Sequence, residues 1–316
     1  MGGKIATAFC AAALLSIPAT SFAATWPKTA YRSCGTLWRE IGIPEHINAV
    51  NRDTTFLCYK RFALRHDNVT RTPEWVIERL KKSQLERDRK RPSKSFVVEH
   101  LIPKRGRASS GDYTKPKANL VRGHMAPSED FRSSLADMKA SFVYTNSVPQ
   151  IGDKFNGATW GTLEDEVRNA VKKRGDVYII TGPVHRIGSG RAHSISAADG
   201  GCGNKIDLEG PEEAFICKSH NATPQFCPKG VGVPIGVSKI VYDRAQAQTF
   251  AFLMSNAEHP TGLSADQARA HLDKHRVTVA AIESATGLKF FRTLAGEKQA
   301  KALHRCETET FWAPRP

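Results

Sequence analysis

The chain has 316 residues, with 46 Lys and Arg against 31 Asp and Glu, giving a net charge of +15 with histidine neutral. An excess of that size implies a polyanionic partner or, failing that, a strongly solvated surface. No stretch approaches the ~20 apolar residues that a bilayer-spanning helix needs, so no such helix is predicted.

Residues 1–23 contain Lys4, an apolar run over 5–17, the helix-ending Pro18 and the small-residue site Ser21-Phe22-Ala23. That order is the pattern of a secretory signal peptide and predicts a periplasmic or secreted protein. Its removal would leave residues 24–316 at a net charge of +14, because Lys4 is the only charge lost. That is long enough for one large domain or two modest ones, with a substantial core. Cys10 would leave with the leader, while Cys34, Cys58, Cys202, Cys217, Cys227 and Cys306 remain. An even number with no Cys-x-x-Cys pair favours disulfides over metal ligation. Among the pairings available, Cys34 with Cys58 is preferred, with the other four pairing among themselves.

Farther along, Thr72-Pro73-Glu74-Trp75-Val76 places a capping threonine before a proline, which predicts a short helix to about residue 80. The basic run 87–91 follows. Residues 96–102 are predicted as a strand and Ser109-Ser110-Gly111-Asp112 as a turn. A strand is expected at 142–144 and a helix over 156–173, with further strands at 177–180, 239–242 and 249–253. Residues 187–232 are rich in Gly, Ser, Pro and Cys and are read as a disulfide-tied insertion, since a structureless loop of that length is improbable without staples. Ser264 with Gln267 forms a capping-box pattern for a helix through His271, and another helix should run from Thr278 to the stop at Gly287. The whole reads as one mixed α+β domain.

Two segments carry chemistry. On the predicted 156–173 helix, Asn156, Trp160, Glu164 and Arg168 recur every four residues, and at ~100° per residue the first three fall within an arc of ~80°. Trp160, Leu163, Val167 and Val171 form the adjacent apolar stripe that would seat this helix on a sheet. The plainest account of Glu164 and Arg168 is an exposed i,i+4 ion pair. Upstream, His124 sits between Gly123 and Met125 with Arg122 nearby. A largely neutral imidazole can take a proton from a water attacking phosphorus, and Gly123 would allow close approach of backbone or substrate. A hard cation such as magnesium prefers oxygen ligands and keeps several waters, so the Asn156 amide oxygen could be its only direct protein ligand, with Glu164 holding one of those waters.

These residues resemble the DNA/RNA non-specific endonucleases in order and spacing. Arg122-Gly123-His124-Met125-Ala126-Pro127 with Asp130 matches that family's Arg-Gly-His block. Asn146-Ser147-Val148-Pro149-Gln150 matches its Asn-x-x-Pro-Gln block, and Asn156 to Glu164 its Asn-x-x-x-Trp-x-x-Leu-Glu block. Arg107-Ala108 with Asp112-Tyr113, Thr181-Gly182-Pro183, the strand around Lys239 to Asp243, Phe252-Leu253-Met254 with Asn256, Ile282-Glu283, Thr286-Gly287-Leu288 and Phe290-Phe291 are similar to further landmarks, so the likeness spans about residues 56–292.

The resemblance implies a ββα-metal fold with a central, mainly antiparallel sheet flanked by helices. With the leader read above, the expectation is an exported endonuclease acting on DNA and RNA with magnesium, or manganese in its place. His124 would be the general base, Asn156 the direct metal ligand and Glu164 a group acting through water. Asn146 would orient the histidine or the substrate, Arg122 and Arg168 would contact phosphate and stabilise the transition state, and Arg107 would be a further phosphate contact. A homodimer is compatible with this reading, and an inhibitor protein is not specified by it. One departure is Val121, where the family usually has aspartate, and altered local hydrogen bonding with retained activity is expected there. The competing readings are a non-catalytic exported nucleic-acid-binding protein using the same basic surface and a phosphodiesterase for small nucleotides.

Overall fold

The computed structural model describes residues 34–46, 52–87, 89–93, 96–113, 119–185, 193–196, 198, 200–211, 215–216 and 230–307. The expected signal peptide, Cys217, Cys227 and part of the 187–232 insertion lie outside them. None of the described helices is long and apolar enough to cross a membrane.

Four two-stranded pairs surround a larger sheet: β1 (Glu45–His46) with β15 (Leu288–Lys289), β5 (Leu120–His124) with β6 (Ser147–Ile151), β8 (His193–Ile195) with β9 (Ile206–Leu208), and β10 (Phe215–Ile216) with β11 (Val231–Gly232). The centre is a seven-stranded antiparallel sheet. Its strands are β2 (Thr54–Cys58), β3 (Phe62–Asp67), β4 (Thr72–Leu80), β7 (Val177–Val184), β12 (Gly236–Asp243), β13 (Gln248–Ser255) and β14 (Arg276–Val277), in spatial order β14-β13-β12-β7-β4-β3-β2. Side chains alternate between its two faces. Trp75, Ile77, Tyr178, Ile180, Ile240 and Leu253 enter one core with Val279, Ile282 and Ala285 of a helix at Val279–Thr286. Val76, Leu80, Val177, Ile179, Val241 and Phe252 enter the other, against Leu163, Val167 and Val171 of the helix Gly161–Arg174. Because both faces are covered, these strands are buried along nearly their whole length, with a few buried charged residues such as Glu78 and Lys239 among the apolar ones.

The helix expected from Thr72 is instead β4, nine residues long and almost wholly buried. Its apolar residues alternate with a period of two, and Pro73 is accommodated by a register shift: Arg65 faces Trp75 while His66 faces Pro73, leaving Glu74 as the extra residue. At such a bulge the missing proline N–H costs no regular ladder bond. The Thr72 hydroxyl meets Thr70 Oγ1 at 2.8 Å and His185 Nε2 at 3.2 Å rather than capping a helix.

The strands expected at 96–102 and 142–144 shrink to a single parallel bridge between Val97 and Val143. The Glu99 carboxylate breaks the first by accepting from Tyr59 Oη at 2.5 Å and from the Leu101 amide at 2.9 Å. The second gives way to a helical turn, Tyr144–Asn146, that sets the Asn146 side chain inward. The expected 156–173 helix is present with a different beginning: a wide i→i+5 helical segment, Gly152–Trp160, runs into the regular Gly161–Arg174 helix. The stripe Trp160, Leu163, Val167 and Val171 is fully buried, as its spacing requires.

The strands at 177–180, 239–242 and 249–253 are all found, each longer than expected. The helix Ala265–Asp273 starts at Ser264 with a complete capping box to Gln267, and Val279–Thr286 runs from the Thr278 cap to a left-handed Gly287. Cys34 pairs with Cys58 and Cys202 with Cys306, so the insertion is tied to the C-terminal end of the fold.

Candidate active site

Beside the main sheet, the antiparallel pairing of β5 with β6 sets Gly123 opposite Val148 and His124 opposite Ser147. The chain passes from β6 directly into the Gly152–Trp160 segment. Two short strands and a helix thus place Arg122 and His124 on one strand and Asn156 on the helical segment that packs beside it.

His124 is buried, with its ring centroid 4.7 Å from that of Phe96 and 4.9 Å from that of Phe142. Among the described residues its Nε2 has no hydrogen-bond partner. Burial, helped by the positive charge of Arg91, pushes the imidazole down to about 3, so the ring is neutral. Gly123 beside it is required for packing. A Cβ there would lie 1.7 Å from Gln150 Oε1, so the space that a substrate was expected to use is filled by the Gln150 side chain. Both polar atoms of that buried amide lack partners among the described residues.

Asn146 is completely buried. Its Oδ1 accepts from the Ala126 amide at 2.9 Å, and its Nδ2 donates to the Ala126 carbonyl at 2.9 Å and the Ser141 carbonyl at 3.0 Å. The Met125 amide donates to the Asn146 carbonyl at 2.9 Å. Asn146 therefore fixes the backbone immediately after His124, and its amide has no donor or acceptor directed at the imidazole.

Asn156 is half-exposed, and among the described residues its side chain makes no hydrogen bond. Trp160 is buried under Lys239, whose Nζ lies 5.1 Å from its ring centroid. Glu164 is half-buried, and burial pushes its carboxyl up to about 7 against the opposing pull of Lys239 and Arg168.

The expected Glu164–Arg168 ion pair is replaced by a different arrangement. Arg168 donates at 2.7 Å to Asp130 and at 2.7 Å to Asp165, with only 11% of its side chain exposed. Arg107 donates to the Ile102 carbonyl at 3.0 Å and to the His100 carbonyl at 2.8 Å, which ties it into its own loop. Arg122 alone of the three expected phosphate contacts is exposed, its guanidinium carbon 5.5 Å from the Phe96 ring centroid. Val121 packs toward Gly152, where an added Cβ would sit 3.2 Å from its Cγ1.

Three buried charges beside the site carried no expected role. Lys239 donates to Thr181 Oγ1 at 2.9 Å, Asp130 receives Arg168, and burial together with the charge of Asp130 drives the Glu78 carboxyl well above its ordinary range. The available signal was a lone charge inside an apolar strand, as at Glu78 and Lys239.

The sequence matches the DNA/RNA non-specific endonuclease family over residues 43–297. It is 27% identical over 252 residues to the mitochondrial nuclease EXOG of Xenopus laevis, a match covering 80% of this chain and 62% of that protein. With the mitochondrial nuclease of Saccharomyces cerevisiae it shares 33% over 146 residues, 46% of this chain and 42% of the yeast protein. The chain thus spans less than two thirds of the length of either relative. A solved structure, that of the EndoG/EndoGI complex described for the mechanism of EndoG inhibition, has a similar fold, with a TM-score of 0.61 and 22% identity over 83% of this chain and 93% of that one. The names of the relatives correct the expected location: they are mitochondrial nucleases, which points away from a periplasmic or secreted protein.

Proposed function

Because the chain belongs to the DNA/RNA non-specific endonuclease family, we propose that it hydrolyses internal phosphodiester bonds of DNA and RNA, with His124 as general base and one magnesium ion, which manganese can replace. The observation that carries this reading is the unpartnered Nε2 of a neutral His124, held on the same strand as the exposed Arg122 and beside the segment that bears Asn156. A buried nitrogen without a partner is costly to maintain, and a water to be deprotonated relieves that cost.

The donors fit a hard cation. Asn156 offers an uncommitted amide oxygen as the direct ligand, and Glu164 is a carboxylate suited to one of the waters that magnesium retains. When bound, the ion supplies positive charge to the phosphate and to the departing oxygen. His124 Nε2 takes the proton of the attacking water, and the negative charge of a bound phosphate raises its basicity from the depressed value set by burial. Arg122 contacts the phosphate. Arg168 and Arg107, whose donors are engaged by protein acceptors, contribute fixed positive potential. Asn146 acts as a positioning residue by holding the backbone at Met125 and Ala126. The net charge of +15 supports binding through phosphates, which gives affinity without base recognition.

The test is a nicking assay on plasmid and on a long RNA, with magnesium and with EDTA. Cleavage of both that EDTA abolishes is expected, and the H124A variant should lose about 10²–10⁴-fold in rate while still binding nucleic acid in a salt-sensitive way. Intact substrates with magnesium or manganese would leave a non-catalytic binder, and equal turnover by H124A would remove this histidine as the base.

A further inference from the structure

Away from this site, three histidines converge where the loop after β13 meets the helix Ala265–Asp273. His259 lies in the loop, His271 on the helix and His275 just beyond its Lys274 cap. One ring nitrogen from each lies within 4.8 Å of the other two. His259 Nε2 is 3.0 Å from the Ser255 carbonyl, which can only accept, so this nitrogen carries the proton and Nδ1 presents its lone pair. That Nδ1 is 3.2 Å from His271 Nε2. Both nitrogens of His275 are buried and, among the described residues, have no hydrogen-bond partner.

We propose that His259, His271 and His275 form a second metal site, separate from Asn156, that takes a divalent transition ion of the zinc type. Zinc bound tetrahedrally by imidazole nitrogens at ~2.0–2.1 Å places those nitrogens about 3.3–3.4 Å apart. One pair already stands at 3.2 Å, and all three nitrogens lie within 4.8 Å of one another, so an ion would need to draw the third in by little more than about 1 Å. The His271-x-x-x-His275 spacing is that of paired imidazoles on one side of a helix end. The Ser255 carbonyl supplies the outer hydrogen bond that orients a ligating histidine and fixes its tautomer. A simple His259–His271 hydrogen bond would account for two of the rings and leave His275 unexplained, whereas an ion satisfies all three. Burial pushes each imidazole below its ordinary range, His275 to about 3, which keeps the lone pairs available at neutral pH. Imidazoles also separate this site from the oxygen-donor site, because hard magnesium prefers carboxylate, carbonyl and water.

The fourth position remains for water or an exogenous ligand. His271 borders a cleft of ≈ 260 Å³ lined also by Gly157, Thr162, Pro260 and Gly262. The ion would brace the wide helical segment, since His259 stacks on Phe155 with ring centroids 5.1 Å apart and its amide donates to the Lys154 carbonyl at 3.0 Å. Asn156 is the next residue after Phe155.

Full-length protein stripped with a chelator and titrated with Zn²⁺ against a chromophoric competitor should bind one ion per chain. The N156A variant should bind it equally well, while H271Q and H275Q, with unchanged circular dichroism, should bind at least about 100-fold more weakly, because loss of an outer partner alone costs 10–100-fold. X-ray absorption of the parent–zinc complex should show three imidazoles, a readout that needs no variant to fold and no cleavage. Absence of zinc binding by the folded parent, an oxygen-only shell, or affinity lost in N156A and retained in H275Q would overturn the proposal. None of these measurements depends on whether the chain cuts nucleic acid.

Discussion

His124 owes its state to its neighbours. Packed between Phe96 and Phe142, it is neutral with an unpartnered nitrogen, and the two residues that settle its position are Asn146 and Gly123. Asn146 fastens the next backbone segment through two side-chain hydrogen bonds with Ala126 and one from the Met125 amide to its own carbonyl, and it is itself tied to the Ser141 carbonyl. Gly123 admits Gln150, and a Cβ at position 123 would stand only 1.7 Å from Gln150 Oε1, so the amide must move if one is added. The G123A variant should therefore lose about 1–3 kcal/mol of stability, the usual cost of overpacking, read as a lower midpoint in urea with an unchanged slope. A midpoint equal to the parent's would show that Gln150 relocates freely. At this scale the sequence revealed residue types, a histidine beside a glycine and an asparagine farther along the chain. It did not reveal that the asparagine grips backbone rather than the imidazole. The spacing of Arg168 from Glu164 suggested a mutual pair, yet Asp130, remote in the chain, takes one face of that guanidinium at 2.7 Å. Local spacing carries no information about an acid brought in by another element.

Among the elements, β4 departs furthest from expectation. Thr-Pro at its start has the form of a helix entry, and the alternation of Trp75 and Ile77 to one core with Val76 and Leu80 to the other makes it a strand. The packing of nine residues, nearly all buried, against β3 and β7 outweighs a local cap signal that is worth about 1 kcal/mol. Its interior Glu78 gives a pH test. Burial, reinforced by the charge of Asp130, raises the folded carboxyl well above its ordinary value of 4.5. A raised acid contributes stability below its unfolded pKa and loses that contribution as pH rises through the folded one. The parent should thus lose thermal stability progressively as pH rises above the ordinary carboxyl value of 4.5 and through the raised folded one, and E78Q, which cannot ionise, should hold a flatter profile and become relatively more stable over that rise. Parallel melting curves for the two proteins from acid to alkaline pH would rule this out. The helices that matched expectation, Ala265–Asp273 and Val279–Thr286, have complete signals within a few residues: a capping box at one start, a threonine cap at the other and a left-handed glycine at the stop.

For the molecule as a whole, long-range ties matter most. The Cys202–Cys306 bridge closes 104 residues of sequence, and removing a loop of that length from the constraints on the unfolded chain should cost about 2–5 kcal/mol. The C202S/C306S variant should accordingly unfold at lower denaturant than the parent, whereas an equal midpoint would mean that strain in the folded state cancels the entropic gain. The expected cellular location failed at this same scale. A lysine, an apolar run and small residues describe a leader in physical terms, but the similarity to mitochondrial nucleases points elsewhere. Targeting is read by receptors, so composition alone is a weak guide to it.

The sequence alone determined the family, the basic character, the apolar stripe Trp160-Leu163-Val167-Val171, three of the central strands and two capped helices, because each is encoded by identity or by a short period. Only the tertiary structure decided that Pro73 lies in a strand bulge, that Arg168 is held by Asp130, that Gln150 occupies the space above Gly123, and that His259, His271 and His275 face one another. Those outcomes depend on which distant elements share a face, and burial then sets the charge states that chemistry at the site requires.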